Sequence, residues 1–301
     1  MFRQLERAEN SSRLVEAGLR IALTRAGGED EWKSVLQTAA AWDSYSQHYD
    51  AATQSDAVDW LLRDRNNPSS VLSVMEQARS NAKLVRTAIT REVFENVNDM
   101  YLRMKELLAR RVNERELPEV LDRIRARTAL VRGALHGTML RNDIYDFARI
   151  GTFMERADST ARILDVKYYV LLPSASAVGS RLDNVQWEQI LRSAASEGGF
   201  RMAMGPDATP SAIASFLILD RRMPRSLAFC MTKIRDNLGY LAQDYDRRLP
   251  CHDAAEALAQ RHLSRDIDAI FHEGLHEYLG GVLRDLGSLG RQIEIDYRFY
   301  E

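Results

Sequence analysis

Apolar residues recur along this chain at spacings of three and four, the period of a helix with one buried face. Persuasive strand-like alternation is absent. From residue 3 to 25, Leu5, Ala8, Val15, Leu19 and Leu23 form such a stripe. Gly27-Gly28 is expected to end that helix. Asp30 predicts the cap of a second helix carrying Trp32, Val35 and Leu36, and Ser55 the cap of a third carrying Val58, Leu61 and Leu62. Asn67-Pro68 and Pro224 read as helix starts with proline in the first turn, as does Thr209-Pro210. Further helices are expected over 91–110, 117–138, a long one ending before Pro173, and 252–297 with a break at Gly280-Gly281. Pro173–Arg181 and Gly198–Pro206 read as loops. The fold class predicted is all-α.

The same pattern repeats. Leu5-Glu6-Arg7-Ala8-Glu9 recurs as Met154-Glu155-Arg156-Ala157-Asp158. Trp32-Lys33-Ser34-Val35-Leu36 recurs as Trp187-Glu188-Gln189-Ile190-Leu191, and Trp60-Leu61-Leu62-Arg63-Asp64 as Phe216-Leu217-Ile218-Leu219-Asp220. The order is kept, at an offset of about 150 residues each time, which is the signature of an internal repeat. The expectation is a helical bundle built by tandem duplication, with one half at 1–148 and the other at 149–301.

Composition narrows the partners. The chain has 301 residues, 45% hydrophobic and 28% charged, with a formal net charge of -2. That balance offers no electrostatic case for nucleic acid or an acidic membrane. No run approaches the roughly 18 apolar residues of a membrane span. Two cysteines, Cys230 and Cys251, without metal spacing or a secretory segment point to free thiols in a reducing cytoplasm. No glycine-rich phosphate loop and no nucleophile elbow is present, so no cofactor is expected.

The chemistry concentrates in the repeated charged motif. On a helix, Glu6, Glu9 and Arg13 share one face, as do Glu155, Asp158 and Arg162. Arg7 and Arg156 point about 100° away from their glutamates. Two readings compete. One is a polar binding or acid–base site; the other is an ion-pair network that packs helices together. A di-iron reading fails because Glu9 and Asp158 stand where Glu-x-x-His needs histidine. Secondary candidates are Asp64 with Ser70, and Asp220 with Ser226, near helix starts where an anion can bind. Ordinary capping explains the same residue types. Arg79 and Arg235 are repeated polar residues on the following helices. His272-Glu273-Gly274-Leu275-His276 matches the short zinc-peptidase pattern, but its mid-motif glycine and missing third ligand favour plain surface histidines.

Taken together, Leu5-Glu6-Arg7-Ala8-Glu9-Asn10, Asp64-Arg65-Asn66-Asn67-Pro68-Ser69-Ser70 and Phe153-Met154-Glu155-Arg156-Ala157-Asp158 resemble the bacterial alpha-E family, a predicted helical domain named for its Glu-Arg motif. The resemblance covers essentially the whole chain. It implies a segment ahead of the first motif like Asp146–Thr152 ahead of the second, so the first helix is expected to be truncated. It also implies work beside an ATP-grasp ligase that forms peptide or amide bonds, with a transglutaminase-like protease or proteasome-like peptidase as further associates. The chain would be a helical accessory or substrate-binding partner, with its Glu-Arg residues lining a polar site near where the halves meet. The alternatives are an enzyme using the paired carboxylates and, third, a zinc hydrolase.

Overall fold

A computed structural model describes residues 1–24, 29–170, 181–206 and 208–299. Fifteen helices and no strand are present among the described residues. None of these helices is long and apolar enough to cross a membrane. The chain divides into two compact units, Met1–Ala148 and Arg149–Glu301.

The first unit is arranged around α1 (Phe2–Thr24). Its flat stripe of Leu5, Ala8 and Ser12, all nearly inaccessible, lets α5 (Val71–Leu84) and α7 (Leu117–Thr138) approach closely. Small residues on a helix face permit this because two backbones can then near each other without clash. Helix α6 (Arg91–Leu107) packs on both α5 and α7. The shorter α2 (Glu29–Thr38), α3 (Trp42–Tyr45) and α4 (Gln54–Leu62) close the other side. There Trp60 is fully buried and meets Tyr45 edge-on at 5.9 Å.

The second unit contains most of α8 (Asp143–Val170), then α9 (Arg181–Ser193), α10 (Glu197–Met204) and α11 (Pro210–Leu219). Three long helices follow, α12 (Leu227–Asp244), α13 (Pro250–Leu263) and α15 (Leu275–Asp296), with α14 (Ile267–Glu273) between the last two. Helix α8 packs Phe153 against Phe229 of α12, and Met154 lies over Gly290 of α15.

Local chemistry moves several expected boundaries. Thr53, not Ser55, caps α4: its hydroxyl accepts from the Asp56 N–H at 3.2 Å. Pro68 and Pro224 do not open helices. Each is the second residue of a β-turn, closed by Ser70 N–H on the Asn67 carbonyl (3.1 Å) and by Ser226 N–H on the Met223 carbonyl (3.0 Å). The caps are the serines that follow, Ser70 and Ser226. Asp30 lies inside α2 rather than before it. Most of Gly198–Pro206, expected as loop, lies in α10 (Glu197–Met204) despite two glycines, with Phe200 buried against Phe216. Gly280-Gly281 sits within α15; the break falls at Gly274, whose φ of 107° no other residue type adopts easily. The Gly27-Gly28 stop and most of the Pro173–Arg181 loop lie outside the described residues. Thr209-Pro210 behaves as expected, with Thr209 capping α11.

The corner between α13 and α15 carries a buried histidine. His262 Nε2 bonds Asp285 at 2.9 Å, its carbonyl accepts from the Tyr278 hydroxyl at 3.0 Å, and Nδ1 is buried with no partner. Burial holds this imidazole below its ordinary value of 6.5, against the pull of Asp285; Arg261 and Arg265 push the same way as burial. The folded chain therefore binds the proton less readily than the unfolded one. The associated stability is complete above about pH 6.5 and is lost as pH falls from there to the lowered value of the folded chain. Urea unfolding at pH 7.5 and 5.5 is expected to show lower stability at the acid pH. His262→Met should shrink that difference; an unchanged difference would remove His262 as its source.

Candidate functional site

The charged motif of the first unit is buried and fully engaged. Glu6 and Glu9 are each about 1% exposed. Glu9 accepts from Arg13 Nη2 at 2.8 Å and from the Thr128 hydroxyl at 3.3 Å, and it forms a close ion pair with Arg132. The same Arg132 guanidinium lies 3.9 Å from Glu6. Two turns further along α1, Glu16 bonds Arg20 at 2.9 Å and Arg125 at 2.8 Å. Helix α7 thus presents Arg125, Thr128 and Arg132 on one face to the carboxylates of α1. A carboxylate removed from water needs donors on both oxygens, and these supply them.

Arg7 points another way, as its helical position requires. Its Nη1 donates to the Ser69 hydroxyl at 3.3 Å, in the β-turn ahead of α5. In the second unit Arg156 Nη1 donates to the Pro224 carbonyl at 3.3 Å, in the β-turn ahead of α12. Thr160 adds a bond of 2.8 Å to the Arg225 carbonyl of that turn. Each Glu-Arg helix is therefore tied by its arginine to the turn that starts another long helix of the same unit.

Around that arginine the second unit differs. Glu155 is buried, but Asp158 is one-third exposed and bonds Arg162 at 2.7 Å. Asp165, two turns on from Asp158, bonds His276 Nδ1 at 2.6 Å.

The secondary candidates split. Ser70 and Ser226 are caps, accepting from Ser73 N–H (3.3 Å) and Phe229 N–H (3.0 Å). Asp64 and Asp220 are turn residues, accepting from Asn66 N–H (2.9 Å) and Arg222 N–H (2.7 Å). Partial burial works to raise the Asp220 carboxyl. Arg222 and two backbone N–H groups outweigh it and hold the carboxyl below its ordinary range. These segments do meet the Glu-Arg helices, through Ser69 and Pro224. Arg79 does not: it bonds Asn98 of α6 at 2.7 Å and stacks over Tyr101. Arg235 stays near the surface, 3.8 Å from Glu256.

The zinc-peptidase pattern is not formed. Helix α14 stops at Glu273, and the Gly274 backbone separates His272 from His276, so they share no helical face. Glu273 pairs with Arg265 and His276 with Asp165. Among the described residues no group of three His, Cys, Asp or Glu is placed to hold a metal ion. Both cysteines are buried and free; burial, with Asp296 beside it, pushes the Cys251 thiol up to about 12 and away from nucleophilic use.

Arg125, Thr128 and Arg132 were not among the residues singled out from the sequence. Their three-and-four spacing on α7 was a readable signal, since it places a polar stripe on a helix with an otherwise ordinary buried face. Removing Arg132 leaves Glu9 buried with a donor lost, which costs on the order of 3–5 kcal/mol for a buried pair. Arg132→Met should lower unfolding stability by about that amount, and adding Glu9→Met should recover more than half. A single-variant loss below about 1 kcal/mol would mean the pair is only peripheral.

No curated protein and no solved structure matches the chain. One family model does, over residues 1–297: Alpha-E, a predicted alpha-helical domain with a conserved ER motif. The two Glu-Arg helices, each bonded through its arginine to a turn of its own unit, are the structural counterpart of that motif, and the chain belongs to the Alpha-E family.

Proposed function

We propose that this protein is a cytoplasmic helical accessory of an ATP-grasp peptide or amide ligase, acting through its surfaces rather than through chemistry at the Glu-Arg motif. The observation that carries the second half of this reading is the state of Glu9. It is buried and already receives Arg13, Arg132 and Thr128. A general acid or base must reach a substrate proton within hydrogen-bond distance. Glu6, Glu9 and Glu155 are all buried, which favours helix packing over acid–base work. Association with the ligase, and with a transglutaminase-like protease or proteasome-like peptidase, is supported by the family resemblance alone. The chain has no ATP-binding motif, so the activation chemistry would belong to the ligase.

The tandem duplication, with halves at 1–148 and 149–301, belongs to the same reading. Buried positions recur in register. Val71, Val74, Met75 and Ala78 of α5 match Leu227, Cys230, Met231 and Ile234 of α12. Leu117, Leu121, Ile124, Thr128, Val131 and Leu135 of α7 match Leu275, Leu279, Val282, Leu286, Leu289 and Ile293 of α15. Backbone detail recurs as well. After α2, Ala41 N–H bonds the Leu36 carbonyl (2.8 Å) with Ala40 at φ 52°; after α9, Ser196 N–H bonds the Leu191 carbonyl (2.7 Å) with Ala195 at φ 49°. Both are left-handed helix caps of the kind glycine usually supplies.

Two experiments test this reading. Co-expression with an ATP-grasp ligase of the kind the resemblance implies is expected to give a stable complex with altered ligase turnover. Unchanged turnover and no co-purification would end the accessory role. Ala40→Gly and Ala195→Gly are each expected to stabilise by up to about 1 kcal/mol, relieving the same strain in each half. Opposite signs for the two would argue against equivalent turns.

A further inference from the structure

The matched halves, if they are duplicates as proposed above, also reveal where one departs from the other. Helices α6 and α13 bury the same pattern, Val93, Val97, Met100 and Met104 against Cys251, Ala255, Leu258 and His262. With α7 and α15 already in register, every position at the two helix interfaces has a counterpart. In the first unit Asp99 of α6 fills the outer part of this interface and takes Arg103 at 2.7 Å and Arg127 at 2.6 Å. In the second unit the polarity is reversed. Asp285 replaces Arg127, Ala257 replaces Asp99, and Ser288 replaces Leu130. His262 replaces the buried Met104. An open groove of about 270 Å³ lies at these positions, lined among others by Ala254, Ala257, Leu258 and Leu289 and by Arg261 and Asp285.

The charged wall is built rather than accidental. Arg261 Nη1 and His262 Nε2 both bond Asp285 Oδ2, at 2.8 and 2.9 Å. Oδ1 of Asp285 carries no bond among the described residues, and the Arg261 Nε and Nη2 groups are likewise uncommitted. His262 is 4% exposed and bonds Asp285 from the buried side, while Arg261 lies on the surface. The wall therefore presents one anionic acceptor beside one planar cationic donor, next to a small apolar recess.

We propose that this groove binds a free zwitterionic α-amino acid with a small aliphatic side chain. The α-ammonium group would donate to Asp285 Oδ1, and the α-carboxylate would accept from the free edge of Arg261, a geometry suited to guanidinium. The side chain would enter the recess against Ala254, Ala257, Leu258 and Leu289. Charge complementarity selects this class. A simple alkylammonium leaves Arg261 unused, and a simple carboxylate meets Asp285.

Titration of the full chain with L-alanine and L-valine, followed by calorimetry and ligand-observed NMR, tests the proposal. Binding with Kd of about a millimolar or tighter is expected. N-acetyl-L-valine and L-valine amide, each lacking one charge, should bind at least about tenfold more weakly, as should the parent acids to Asp285→Asn and Arg261→Gln. Ala257→Leu and Ser288→Leu should abolish binding by filling the recess. Both should also fold, since the first unit carries larger residues at these places. Absence of binding by either amino acid to the unaltered chain overturns the site, as does binding indifferent to the charge-removing variants. Unfolding of both filling variants would count against the matched halves instead, and the Asp285 and Arg261 variants would still decide the site.

Discussion

The burial of two carboxylates on α1 is the constraint around which the first unit is arranged. Glu6 and Glu9 lie on the face that α7 covers, and a bare carboxylate there would be prohibitively costly. Arg132 and Thr128 must therefore stand opposite Glu9, which sets the register of α7 along α1. The small residues beside the charges, Ala8 and Ser12, bring the helices near enough for those bonds to form. Packing and polarity are one arrangement here. Hydrophobic contact alone would allow α7 to slide by a turn, and the buried ion pairs do not.

Arg7 and Arg156 extend the same logic to a third helix. Each bonds the β-turn preceding a serine-capped helix, α5 in one unit and α12 in the other. The arginine adds a bond from a long neighbouring helix to those that Asn67 and Asp220 already make around these turns. In the first unit the carboxylates of α1 and the arginine beside them thus divide two structural tasks. The glutamate orders the inner helix contact, and the arginine orders the entry to the next one.

The second unit places its charges differently. In the second unit Met154 of α8 lies against Gly290 of α15. Asp158 is partly in water with Arg162 as its partner. A carboxylate that keeps solvent needs no second guanidinium. Another charged contact of this unit, the Arg261–His262–Asp285 cluster, lies between α13 and α15.

The sequence by itself determined the helical class, most helix positions and the pairing of Glu9 with Arg13 and of Asp158 with Arg162, because period and i,i+4 spacing are local properties. Which residue ends each helix was less legible. Thr53, Ser70 and Gly274 were decided by competition among neighbouring hydroxyls and by a positive φ, and Asn67-Pro68 was resolved as a turn by one closing hydrogen bond. Only the tertiary structure brought Arg132, 123 residues away in sequence, onto Glu9. Only it showed that His272 and His276 lie on separate helices. Long-range partners of a buried charge depend on how helices stack, and that is set by the whole packed unit rather than by any one stretch of chain.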